Sequence, residues 1–156
     1  MNFENGPQYK LFLNKKIMSI DYGTKIVGFA QFCPGSDPFP YLAGSTPYQN
    51  DQNLIQKIKN RIESEFIDLI VLGLPLYLDG NESMMTKKVK LFAQDLKVEL
   101  SIPLYLQDEG LSTFEALDRM KNSPRYLFKV NKQDKDALAA SIILEDFLMA
   151  PFIHQV

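Results

Sequence analysis

The stretch SIDYGTKIVGFA, residues 19–30, decides how the chain is read. It closes a short apolar run on Asp21, turns through Gly23, Thr24 and Lys25, and becomes apolar again from Ile26 to Ala30. Two strands joined by a tight turn account for the pattern, with β-branched residues in each arm and a glycine where a positive φ is expected. The arms are expected over Lys16 to Asp21 and Ile26 to Phe32. A carboxylate therefore ends a strand that otherwise looks buried, which asks for a chemical reason.

Beyond this hairpin, Cys33 to Pro40 reads as a Pro- and Gly-rich loop and Tyr41 to Ala43 as a short third strand. Leu54, Ile55, Ile58, Ile62 and Phe66 then recur at helical spacing. DLIVLGLP, residues 68–75, is the nearly continuous apolar run of a strand covered on both faces, which implies a parallel central strand. A second helical face follows at Val89, Phe92, Ala93, Leu96 and Leu100, then a strand in IPLYLQDE, residues 102–109. Ser112 and Glu115 have capping-box spacing for a helix over Thr113 to Met120, and a closing helix runs from about Asp134 to Met149. The order predicts an α/β fold with a five-stranded mixed sheet, a three-strand meander followed by two parallel strands, and helices on both faces.

With 156 residues, 46% of them apolar and 23% charged, the chain is expected to form one domain over residues 16–150, between a loose leader (1–15) and a short tail (151–156). The single cysteine, Cys33, has no internal partner, which fits a reducing cytoplasm. No apolar run approaches the roughly 20 residues that span a bilayer, and Met1 to Leu13 is too polar for a signal peptide. A net charge of −2 argues against a protein that coats nucleic acid by charge alone. One segment is nevertheless basic, with Arg119, Lys121, Arg125, Lys129, Lys132 and Lys135 opposed only by Asp134. Charge alone favours reading it as a solvated loop.

The only histidine, His154, is the third residue from the C-terminus, a poor position for a fixed catalytic imidazole. Neither a P-loop nor a dinucleotide-binding glycine turn is present. Carboxylates remain: Asp21 at the end of the first strand, Asp108 and Glu109 at the end of the last, and Asp136 in the first turn of the closing helix. Strand ends on one side of a mostly parallel sheet converge where ligands bind. Carboxylates gathered there repel unless a hard divalent cation such as Mg²⁺ takes their oxygens. Each acid also has a plain structural role open to it. Asp21 could open the turn, Asp136 could favour the positive end of a helix dipole, and Asp134 looks like an N-cap. Asp79 with Gly80 reads as turn chemistry.

The blocks IDYGTKIVG (20–28), VLGLPLYLDG (71–80), DEGLST (108–113) and DALAASIILEDFL (136–148) together resemble the YqgF/RuvX family, in family order and over nearly the whole chain after the leader. That resemblance implies an RNase H-like fold. It also implies metal-dependent cleavage of phosphodiester bonds, since members are described as Holliday junction resolvases or as nucleases maturing the 5′ end of pre-16S rRNA. Asp21 then matches the first-strand catalytic acid and Asp136 that of the closing helix. The fourth-strand acid is Asp108 or Glu109, with equal weight, because adjacent side chains face opposite ways. The family's chemistry implies two ions, Mg²⁺ or Mn²⁺, held by these acids. Thr24, Lys25 and the basic segment from Arg119 to Lys135 become candidate contacts to a nucleic-acid backbone. Pre-rRNA or branched DNA is the implied partner, with a ribosomal subunit alongside. Gly110 stands where the family usually has arginine, Ile26 where another basic residue is usual, and the leader exceeds the family's usual start.

Two other readings are weighed. DYGT also resembles the first phosphate loop of actin-like ATPases, but one domain of this length lacks the second wall for ATP. A non-catalytic RNA- or ribosome-binding module would keep the fold and the acids without turnover. Junction cleavage would require a symmetric homodimer, and no heptad or other dimer signal stands out in the sequence.

Overall fold

In the computed structural model, which describes residues 3–77, 79–109 and 134–156, the opening stretch forms β1 (Ile17–Asp21) and β2 (Ile26–Phe32), paired antiparallel. There follow β3 (Tyr41–Pro47), α1 (Asp51–Glu65), β4 (Leu69–Pro75), α2 (Met84–Glu99), β5 (Leu104–Glu109), α3 (Lys135–Met149) and β6 (His154–Gln155). The sheet order is β3-β2-β1-β4-β5-β6, with β1, β4 and β5 parallel and the other pairings antiparallel. A sixth strand is thus added to the five expected, because the tail turns back along the edge of β5. There Leu106 pairs with His154, and the Val156 N–H donates to the Leu104 carbonyl at 2.9 Å. The third strand is longer than Tyr41 to Ala43, its pairing with β2 running on to Pro47. The expected helix over Thr113 to Met120 lies outside the described residues. No helix among the described residues is long and apolar enough to cross a membrane.

Alternation along β1 sorts its side chains between two cores. Met18 and Ile20 join a cluster with Leu54, Ile55 and Ile58 of α1 and Val89, Phe92 and Leu96 of α2. Ile17 joins Val71, Tyr105, Ile143, Leu144 and Phe147 on the opposite face, under α3. Burial of each such side chain is worth about 1.5–3 kcal/mol, so both faces of β1 are strongly specified. Asp21 shares the parity of Ile17 and Ser19 and belongs to the α3 face.

Two features keep α3 close to the sheet. Its inner surface carries Ala137, Ala140 and Ser141, all buried, and the Ser19 hydroxyl donates to the Ala140 carbonyl at 2.6 Å. On the other face, α2 begins at a capping box between Ser83 and Thr86, and the Thr86 hydroxyl donates to the Pro75 carbonyl, fastening the helix start to the carboxyl end of β4.

The leader, loose by the sequence reading, packs instead. Phe3 and Phe12 are buried in the α3-side core, and the Phe12 ring lies 5.6 Å from that of Tyr105 and 5.4 Å from that of Phe147. Large aromatic side chains offset the entropy of ordering an otherwise irregular segment. The reversal at Gly23 also differs from expectation in its cause. Gly23 is not among the positive-φ residues, and a Cβ there would collide with the Ile26 carbonyl, so the need is for space.

Candidate active site

Asp21 ends β1 half-buried at the carboxyl edge of the sheet, directly across the ladder from Gly28 of β2. Parity along β5 settles which of its two terminal acids faces the same way. Tyr105 lies in the α3-side core, so Gln107 and Glu109 point to that face, whereas Asp108 follows Leu104 and Leu106 to the other. Glu109 is half-buried and interacts directly with the Asp21 carboxyl group, while Asp108 is exposed. Of the two acids weighted equally from the sequence, Glu109 is the one that stands beside Asp21.

Two strand glycines make room for the pair. At Gly73 on β4, a Cβ would fall 3.0 Å from Glu109 Oε2 and would overlap Ile143. Glu109, whose own partner is Pro75, thus reaches back over β4 toward β1. At Gly28, a Cβ would strike the backbone carbonyl of Asp136, so the missing side chain is what lets the first turn of α3 press against the sheet. Asp136 is half-buried in that turn. Asp134 occupies the N-cap position expected for it, yet its side chain makes no capping hydrogen bond. Asp79 serves its turn, accepting from the Asn81 N–H at 2.9 Å beside Gly80 at φ +85°.

Burial raises the Asp21 pKa well above the ordinary carboxylate range. The interaction with Glu109 partly opposes that rise, and the charge of Asp136 adds to it. Glu109 is pushed up further, first by burial and then by Asp21, with a smaller contribution from the charge of Asp146 on α3. Such shifts mark carboxylates gathered against their own repulsion. The donors are all oxygens, a set suited to a hard divalent cation. Among the described residues, no three side chains already stand together as a ligand cluster. Asp21 and Glu109 form a contacting pair, and Asp136 borders it closely enough for its charge to act on Asp21.

Thr24 and Lys25 are exposed on the turn after Asp21, and the Lys25 carbonyl accepts from the Tyr48 N–H at 2.8 Å. Lys135 is exposed beside Asp136. Arg119, Lys121, Arg125, Lys129 and Lys132, together with Gly110, lie outside the described residues. Sequence reasoning missed Gly28, Gly73, Ser19 and Asp146. The glycines had a signal, since an isolated glycine inside an apolar strand run marks a close approach.

Among solved structures, Thermus thermophilus RuvC in complex with a Holliday junction substrate shares the fold, with a TM-score of 0.59 over 91% of this chain and 99% of that one, at 11% identity. The architecture is thus the RNase H-like fold. Within that class the sequence is more specific: residues 15–150 match RuvX, described as a Holliday junction resolvase, and the chain belongs to that family. A relative from Maridesulfovibrio salexigens is 38% identical over 85% of this chain and 97% of its own length. One from Rickettsia typhi is 35% identical over 91% and 90%. Both are assigned by name as pre-16S rRNA nucleases.

Proposed function

We propose that this chain hydrolyses phosphodiester bonds in precursor 16S rRNA, with Asp21, Glu109 and Asp136 as its catalytic acids. The observation that carries this reading is the contact between Asp21 and Glu109, two carboxyl groups with raised pKa values, on the face where α3 brings Asp136. Placing them together costs free energy, which a purely structural role would not justify.

Asp21, Glu109 and Asp136 would hold Mg²⁺ or Mn²⁺. When bound, such ions lower the pKa of a water and offset charge on the scissile phosphate. The protein's own contribution is orientation. Parity fixes Asp21 and Glu109 on one face, Gly73 leaves the space Glu109 occupies, and Gly28 sets the distance of Asp136. Thr24, Lys25 and Lys135 offer exposed contacts for a phosphate backbone.

RNA is preferred because the family members at 35–38% identity carry that assignment. The family description keeps four-way DNA as the second reading. The test compares wild type with Asp21→Asn on pre-16S-like RNA and on four-way DNA, each with Mg²⁺ and with Mn²⁺. Cleavage of the RNA by wild type alone is expected. Cleavage confined to the DNA would move the assignment to junction resolution. Intact RNA binding with no cleavage by wild type would leave a binding module, and equal cleavage by both proteins would remove the role of Asp21.

A further inference from the structure

A single oxygen, Oδ1 of Asp51 at the start of α1, accepts two phenol hydroxyls, from Tyr22 and from Tyr48, each at 2.8 Å. The two tyrosines reach it from opposite ends of one short turn. Tyr22 is the residue after Asp21, where β1 ends. Tyr48 follows β3, and its backbone N–H donates at 2.8 Å to the carbonyl of Lys25, the last residue before β2. The turn 22–25 is therefore held at its first residue by a side chain and at its last by a backbone bond, and both ties end on the same carboxylate.

Ring contacts stiffen the arrangement. Tyr22 is buried, with its ring 4.7 Å from that of Phe92 on α2 and 5.7 Å, edge on, from that of Tyr48. The Lys88 ammonium of α2 stands 5.5 Å over the Tyr48 ring. The end of β1, the start of α1 and the flank of α2 are thus joined around Asp51. Hydrogen bonds that end on an ionised carboxylate are of the stronger kind. The helix dipole favours an acid in this first turn, but it accounts for neither phenol.

Tyr22 belongs to the core under α1 and α2, whereas Asp21 faces α3. Adjacent residues of an extended chain point opposite ways, so a fixed Tyr22 fixes the direction of the Asp21 carboxyl group. Thr24 and Lys25 are exposed on the same turn. We propose that Asp51 is a positioning residue for phosphodiester cleavage: through Tyr22 and Tyr48 it fixes the turn that sets Asp21 and Thr24 relative to each other. This role rests on the nuclease reading and adds to it a residue on the face of the sheet opposite the acids.

The full chain is compared as wild type, Asp51→Ala, Asp51→Asn, and Tyr22→Phe combined with Tyr48→Phe, at a temperature where circular dichroism shows each one folded. In chelator, hydrogen exchange at the Tyr48 amide should be faster in Asp51→Ala than in wild type. Mg²⁺ affinity, read from the rise in melting temperature on titration, should weaken about tenfold in Asp51→Ala, as loss of an outer-shell partner does. Its kcat on pre-16S-like RNA should fall by a similar factor. Asp51→Asn keeps an acceptor oxygen for both hydroxyls and should stay close to wild type in all three, whereas the double phenylalanine variant should match Asp51→Ala. Wild-type Mg²⁺ affinity and kcat in Asp51→Ala, with stability alone lowered, would overturn the proposal by leaving a purely structural network. Damage in Asp51→Asn equal to that in Asp51→Ala would overturn it too, since charge rather than position would then matter. A wild-type chain that neither binds Mg²⁺ nor cleaves would sink the nuclease reading and this role together, whereas the two variant outcomes sink this role alone.

Discussion

Gly28 is the direct ladder partner of Asp21, and it is also the point where the backbone of Asp136 meets the sheet. One missing side chain therefore sets the distance between two candidate acids more than 100 residues apart in sequence. Gly28→Ala should collide with backbone rather than with a flexible side chain. Overpacking of this kind costs about 1–3 kcal/mol, and the first turn of α3 must move. Urea denaturation should register that loss, and cleavage should fall by more than the unfolded fraction explains. Unchanged stability and activity would mean that α3 does not rest on β2 there.

The two acids at the end of β5 should separate cleanly. Glu109→Gln should reduce cleavage by well over the 10–100-fold typical of outer-shell changes around a metal. Asp108→Asn, on the exposed face, should stay within about 0.5 kcal/mol of wild type in stability and keep its activity. Side-by-side rates under saturating Mg²⁺ decide the matter, and the reverse ranking would contradict the strand parity.

Raised carboxyl pKa values make a signed statement about stability. Asp21 and Glu109 titrate higher in the folded chain than in the unfolded one, so the folded state binds more protons. Their contribution is fully present below the unfolded value of about 4 and is lost as pH rises through the folded values. Without divalent cations, wild type should therefore lose thermal stability from mildly acidic to mildly alkaline pH, and Asp21→Asn should flatten that decline. Mg²⁺ should restore the alkaline arm of wild type alone, since a ligand bound only by the folded state stabilises it. Identical pH profiles for the two proteins in chelator would show that the pair carries no such strain.

Phe12 offers a check on the leader. Truncation to alanine removes a buried ring between Tyr105 and Phe147, a change worth about 3–5 kcal/mol in well-packed cores. A large fall in the denaturation midpoint is expected. A shift within about 0.5 kcal/mol, as at ordinary surface positions, would mean the leader is loose after all.

Much of this architecture is legible from local pattern. The hairpin around Asp21, the covered strand at β4 and the amphipathic faces of α1 and α2 all follow from periodicities of two and 3.6 residues. Asp21 and Asp136 are nameable because a strand end and a helix start are local events. The choice between Asp108 and Glu109 was not legible, because β5 is apolar on both faces at its start and hides which parity faces α3. Which apolar side chains of α2 face outward was hidden for a related reason. Leu91 and Val98 sit among Val89, Phe92 and Leu96 in sequence, and only packing divides the inward set from the outward one.

By itself the sequence determined the order of the elements from β1 to β5 and the closing helix, the family, and the presence of acids at the ends of β1, β5 and α3, since each depends on residue type and short-range spacing. The tertiary structure alone decided which acids meet, what Gly28 and Gly73 make room for, that Phe3 and Phe12 are core, and which apolar side chains of α2 remain in water. Those are facts about segments distant along the chain, and burial belongs to the pair of surfaces that close on each other rather than to either one.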